Sequence, residues 1–206
     1  MTALAEDLRA QLRGRRKRPA PEPWKPPQVA DFTFGEYVLA FDATLSHTGW
    51  VVLGCDGREI VVLGHGVITP VTEMTGYRGT WDKAIRLLLG VTEVMRQTED
   101  TPLHVVVEAP SVGGGHRTES SLIAGLIVLM AYGNVTDVSA SHVSAVLLGD
   151  ARIRSEQRKK LIREAVIRLI PETAGRGWNE HMRDAAATAL TYIRDHNRKA
   201  TDASLS

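Results

Sequence analysis

Apolar positions along the chain follow two periods, and each period marks a different kind of element. Tyr37–Leu53 reads Y-V-L-A-F-D-A-T-L-S-H-T-G-W-V-V-L. An unbroken apolar run ends on Asp42, a polar turn follows, and a second apolar run begins at Trp50. Continuous runs of this kind, closed by turn residues, are what strands buried on both sheet faces require. Strands are therefore predicted over Tyr37–Asp42, Gly49–Cys55 and Glu59–Ile68. The Asp56-Gly57 pair is a hairpin signal that makes the three an antiparallel meander. Helical spacing then takes over. Thr80 is placed to cap a helix with apolar positions Trp81, Ile85, Leu88, Val91 and Met95, ending before Pro102. Leu103–Val107 is again a Val-rich strand, closing on Glu108. A strand, a crossover helix and a strand is the unit that sets two strands parallel.

A Gly-rich loop, A-P-S-V-G-G-G-H-R-T, leads into a helix predicted over Glu119–Ala131. Its spacing matches neither a P-loop nor a dinucleotide fingerprint, so a mobile loop is expected. His116 and Arg117 stand at its far end, and Arg117 reads either as a phosphate contact or as a solvated charge. The helix is apolar nearly all round, so it must be buried in the domain or against a second subunit. Asn134–Ser139 is a short fifth strand, followed by a linker. A helix over Ser155–Ile170 has Leu161, Ile162, Ala165, Val166, Leu169 and Ile170 inward, with Arg158, Lys159, Arg163 and Arg168 mostly outward. That basic face either meets DNA or is solvated. Pro171 breaks it. Asn179 is a good N-cap for a last helix, whose stripe is Met182, Ala185, Ala186, Ala189, Leu190 and Ile193.

Composition narrows the class. With 206 residues, 43% hydrophobic and 24% charged, the chain suits one folded domain plus a tail. The single cysteine, Cys55, lies in a strand pattern and reads as a small core residue; no disulfide framework is possible. The absence of a membrane-length apolar run and of a secretory leader pattern places the protein in the cytoplasm. Formal net charge is only +1, but its distribution is uneven. Arg9, Arg13, Arg15, Arg16, Lys17, Arg18 and Lys25 face Glu22 alone, interleaved with prolines. Residues 1–30 are thus expected to be a flexible basic arm, either gathering phosphates or only solubilising. Residues 31–197 form the domain, and 198–206 a disordered tail.

V-L-A-F-D and H-V-V-V-E share a pattern: a buried strand ended by a carboxylate. On parallel neighbours about 4.8 Å apart, Asp42 and Glu108 emerge together at the carboxyl edge of the sheet, where open α/β sheets bind ligands. Two like charges that close share a proton or hold a cation. His181 and Asp184, three apart on the last helix, share one shoulder of its first turns. Three carboxylates and an imidazole with open positions suit Mg²⁺, with Mn²⁺ able to substitute, and not a structural zinc. Two such ions activate a water and stabilise the leaving oxygen in phosphodiester hydrolysis. Asp42 would bridge them, Glu108 and Asp184 would each hold one, and His181 would ligate or orient the water.

A strand-end Asp followed by T-G-W, hairpin-linked strands, a helix, a strand ending in Glu and a late helix bearing H-x-x-D resemble the RuvC-type Holliday junction resolvases of the RNase H-like superfamily. The L-G-D-A-R stretch before a basic helix at Leu148–Lys160 resembles the family's G-x-G-R-A stretch and Lys-rich helix. The resemblance spans Val38–Ile193. It implies an α/β, RNase H-like fold: a five-stranded mixed sheet, a three-strand antiparallel meander plus parallel strands, flanked by helices. It also implies a homodimer and metal-dependent paired nicks in a four-way DNA junction, with the catalytic acids falling on Asp42, Glu108 and Asp184, and His181 at a variable position. Ala43 departs from a common proline, Ser144 stands where an active-site lysine is expected, and the basic arm is an addition. Arg152, Arg154 or the arm are candidates to supply the missing cation. Such divergence suits a phage or mobile-element resolvase, acting in a bacterial or phage-infected cell.

Other readings stay open from sequence alone. A relative acting on other branched DNA or on RNA would carry the same residues. An actin-like phosphotransferase also ends its first strand in Asp, but needs a second glycine-rich loop and a longer chain. A silent DNA-binding module would have little reason to keep all four candidate ligands.

Overall fold

A computed structural model describes residues 27–28, 32–98, 103–109, 123–128 and 135–204. Most of the basic arm, including Arg15, Arg16, Lys17 and Arg18, and the loop carrying His116 and Arg117 lie outside the described residues. Five strands, β1 (Thr33–Asp42), β2 (Thr48–Asp56), β3 (Ile60–Ile68), β4 (Leu103–Ala109) and β5 (Val135–Ser139), form one mixed sheet of order β3-β2-β1-β4-β5. β1, β2 and β3 are the antiparallel meander, and β4 runs parallel to both β1 and β5. The Asp56-Gly57 turn forms as the sequence predicts. Gly57 sits at φ 84°, and Asp56 Oδ1 accepts the N–H groups of Arg58 and Glu59 at 2.8 and 3.0 Å.

Helices cover both faces of the sheet. On one side lie α1 (Gly76–Gln97) and a helical stretch over 123–128, α2. They bury Ala84, Leu87, Val91, Val94, Ile123, Ala124 and Ile127 against Leu39, Phe41, Val52 and Val107. On the other lie α3 (Ala140–Leu148), α4 (Ser155–Leu169) and α5 (Glu180–Ser204), with a 3₁₀ turn, Pro171–Ala174, before the last. Val38, Ala40, Val51, Leu53 and Val106 face this layer. α5 lies across β1 and β2, and its buried stripe is the predicted one, Met182, Ala185, Ala186, Ala189, Leu190 and Ile193.

Five expectations change. α1 begins at Gly76 with Thr75 at its N-cap, so Thr80 is an interior residue. Its buried face is Gly79, Ala84, Leu87, Val91 and Val94, whereas Trp81 and Ile85 are 43% and 52% exposed. Two apolar stripes run side by side on this helix, and periodicity alone selects the wrong one. The segment expected to be a linker after β5 contains α3. Ser139 caps it by accepting the His142 N–H at 3.2 Å, and Gly149, at φ 77°, ends it in the left-handed region. Finally, α5 continues to Ser204 instead of giving way to a tail at 198, since no Pro or Gly interrupts it. Leu161, expected inward, is 36% exposed; the rest of the inward set of α4 is buried.

Candidate active site at the carboxyl edge of the sheet

Strand register decides where the acids stand. In the parallel β1–β4 pair Phe41 lies opposite Val107, so the next residue of each strand, Asp42 and Glu108, leaves the sheet at the same edge. Both follow the alternation that turns Val38, Ala40 and Val106 toward the α3–α5 layer, and therefore face α5. Asp42 is buried, 8% exposed.

The first turns of α5 bring the other two groups. Asn179 Oδ1 accepts the Met182 N–H at 3.0 Å, and the burial of Met182, Ala185 and Ala186 fixes the rotation of the helix. His181 Nδ1 donates to Asp42 Oδ2 at 2.7 Å. This close approach depends on Gly49, which pairs with Asp42 across β1 and β2. A Cβ at Gly49 would stand 2.3 Å from the carbonyl carbon and oxygen of His181. His47, from the turn between β1 and β2, stacks on the His181 ring with centroids 5.4 Å apart and planes 11° apart. Thr44 holds that turn by accepting the His47 N–H at 3.1 Å, while the buried Thr48 hydroxyl donates to the Thr44 carbonyl at 3.0 Å.

Burial, and then the charges of Asp42 and Asp184, push Glu108 from 4.5 up to about 8. Burial and Asp42 likewise raise Asp184 from 3.8 to about 7. The hydrogen bond to Asp42 raises His181, against the opposing effect of burial. The cations acting on this group come from α4: Arg158 and Lys159 draw Glu108 back down, and Lys159 does the same for Asp184. Lys159 also pairs with Glu180 on α5. A cleft lined by Glu108, Arg158, Lys159, Ile162, Asp184 and Thr188 opens between the sheet edge and these helices.

Asp42, Glu108, His181 and Asp184 therefore gather at one edge, with Asp42 and His181 bonded to each other. Among the described residues, no three His, Cys, Asp or Glu side chains close tightly enough to hold a metal ion. The chemistry of the set nevertheless fits a hard divalent cation: three clustered carboxylates, two of them driven toward protonation by burial and mutual repulsion, carry the charge that such an ion neutralises. Asp42, Glu108 and Asp184 are the residues that would hold it.

Of the predicted basic contacts, Arg158 and Lys159 reach the site. Arg152 and Arg154 are exposed in the turn before α4; the Arg152 N–H donates to Asp150 Oδ1 at 2.8 Å, and Arg154 occupies the N-cap position of α4. Ser144 is buried on α3, its hydroxyl donating to the Ala140 carbonyl at 3.0 Å. His47, Gly49 and Glu180 escape the sequence reading. Only the turn between the first two strands offered a signal for the first pair, while the Glu180 pairing depends on how α4 meets α5.

Cys55 is buried, as expected, and burial pushes its thiol up to about 12. Among the described residues no helix is long and apolar enough to cross a membrane.

No protein-family profile matches the chain. The crossover junction endodeoxyribonuclease RuvC of Caulobacter vibrioides is 29% identical over 175 residues, 79% of this chain and 93% of that protein. The structure of Thermus thermophilus RuvC matches with a TM-score of 0.64 at 19% identity, covering 79% of this chain and 96% of that one. The T. thermophilus RuvC complex with a Holliday junction substrate matches at 0.62 and 20% identity, covering 80% and 96%. The fold is thus that of these RuvC structures.

Proposed function

We propose that this chain, a RuvC-type protein by its sequence and its RNase H-like fold, is a divalent-metal-dependent endonuclease that cuts four-way DNA junctions by phosphodiester hydrolysis. One observation carries the reading: the carboxylates of Asp42, Glu108 and Asp184, from three separate elements, converge at the carboxyl edge of the sheet with His181 bonded to Asp42. Similarity to a crossover junction endodeoxyribonuclease over 93% of its length supports the substrate class. The protein acts as a homodimer in the cytoplasm of a bacterial or phage-infected cell.

The residues divide the work. Asp42, Glu108 and Asp184 would hold Mg²⁺, or Mn²⁺ in its place, which when bound supplies a nucleophilic water at neutral pH and neutralises the leaving oxygen. With its Nδ1–H donating to Asp42 Oδ2, His181 presents Nε2 to exchange a proton with a water or leaving group, and the His47 ring stacked on it restricts its rotation. Lys159 and Arg158 stand where a scissile phosphate meets the carboxylates, the place for a cation that Ser144 does not supply.

Comparing cleavage of a synthetic four-way junction, a flap, a linear duplex and a structured RNA in Mg²⁺ tests the reading. Preferential, symmetric nicking of the junction is the expected result. Equal cutting of RNA or linear duplex would replace it by the alternative of a general RNase H-like nuclease.

A further inference from the structure

A second cleft continues from the first along the seam between α4 and α5. Its volume is about 330 Å³, and its walls are Lys159, Lys160, Arg163, Glu180, Arg183 and Asp184. Lys159 and Asp184 line both clefts, so the second begins where the first ends. Its charge is unbalanced. Four cations, Lys159, Lys160, Arg163 and Arg183, border it against two carboxylates, Asp184 and the Lys159-paired Glu180.

Arg183 is the least expected of these. Only 9% exposed, it is anchored by Nε donating to the Thr173 carbonyl at 2.9 Å in the 3₁₀ turn. A guanidinium has five N–H donors in a fixed fork, and this carbonyl takes one direction of them. Lys160, Arg163 and Arg183 border one open cleft, where an anion lying among them would offset their mutual repulsion. A phosphate, planar-fork compatible and doubly accepting, is the group that relieves it.

We infer that the cleft bounded by Lys160, Arg163 and Arg183 is a second phosphate subsite, holding the backbone phosphate that adjoins the one presented to Asp42, Glu108 and Asp184. The inference rests on the nuclease reading for its strand and deepens it: α5 contributes both the carboxylate that works at the scissile phosphate and the guanidinium that fixes the neighbouring one. Two phosphates held on one helix set the register of the strand over the cutting site.

The test uses the full chain carrying Asp42→Asn, with the wild-type chain in EDTA as a second non-cleaving background. Lys160→Gln and Arg163→Gln are introduced together; both residues are exposed, and an unchanged melting temperature confirms folding. Junction binding is followed by fluorescence anisotropy across a salt series. The pair of substitutions is expected to make the log–log salt slope shallower by about 1 and to weaken binding severalfold at low salt. A single neutral methylphosphonate at the adjoining phosphate should reproduce that loss in the parent and add nothing in the variant. Identical slopes and affinities overturn the subsite. So does calorimetric binding of inorganic phosphate that needs Arg163 yet leaves junction binding unaffected, since the cleft would then serve a free anion. Because the readout is binding, a wild-type chain that fails to cut junctions while its slope still responds to the substitutions would refute the nuclease reading and keep the subsite.

Discussion

Replacing Glu108 by Gln in the metal-free protein should change how stability depends on pH. Glu108 is raised from 4.5 to about 8, chiefly by burial and then by Asp42 and Asp184. For an acid whose folded value is raised, the stability it contributes is fully present below the unfolded value and is lost as pH climbs through the folded one. The loss therefore falls between about pH 4.5 and 8. At about 1.4 kcal/mol per pH unit, a rise from 4.5 to about 8 amounts to at most about 5 kcal/mol. Partial solvent access and the shared titration with Asp184 reduce it, so a loss of roughly 2–4 kcal/mol is expected. Urea denaturation in EDTA at pH values on both sides of this window measures it. With slopes of roughly 1–3 kcal/mol/M, the wild-type midpoint should drop by about 1 M or more between the acid and alkaline ends, and that of Glu108→Gln by clearly less. Saturating Mg²⁺ should restore most of the wild-type loss and little of the variant's. Parallel pH curves for the two proteins would refute the electrostatic account of the site.

Gly49→Ala should cost at least about 1–3 kcal/mol and reduce cleavage at least tenfold, because the new Cβ would stand 2.3 Å from the His181 carbonyl; melting and cleavage assays on one preparation check both. Cys55, with its thiol pushed up to about 12, should resist thiol reagents near neutral pH until urea unfolds the chain; rapid labelling of the folded protein would contradict its burial. Deleting residues 1–26 should weaken junction binding more at low salt than at high salt if the basic arm touches phosphates; equal binding at every salt would make it only a tail.

Much of this architecture was legible in one sequence. The strand-end acids, the hairpin turn and the alanine stripe of α5 are strong signals because each meets a hard constraint: a carboxylate cannot be buried bare, a two-residue turn needs Gly57 at positive φ, and a long helix against a sheet needs one apolar face. α1 was misread in orientation because Trp81 and Ile85 make a stripe as regular as Ala84, Leu87 and Val91, and only the sheet decides between them. α3 escapes the pattern because its nine residues make only about two and a half helical turns. At the site, the sequence points to the three acids and the imidazole, but offers Arg152, Arg154 or the basic arm as the cation facing them. Which basic residue of α4 turns toward the carboxylates depends on how α4 meets α5, and no local pattern carries that. Gly49 is of the same kind: its necessity follows from a contact with His181 far along the chain.

Asp42 is the residue on which the account depends, since it touches His181 and its charge acts on both Glu108 and Asp184. The decisive measurement is Mg²⁺-dependent cleavage of a synthetic four-way junction by the Asp42→Asn chain, with junction binding measured alongside. Cleavage should be abolished while binding is largely kept; cleavage at the wild-type rate would contradict the assignment of this edge of the sheet as the active site.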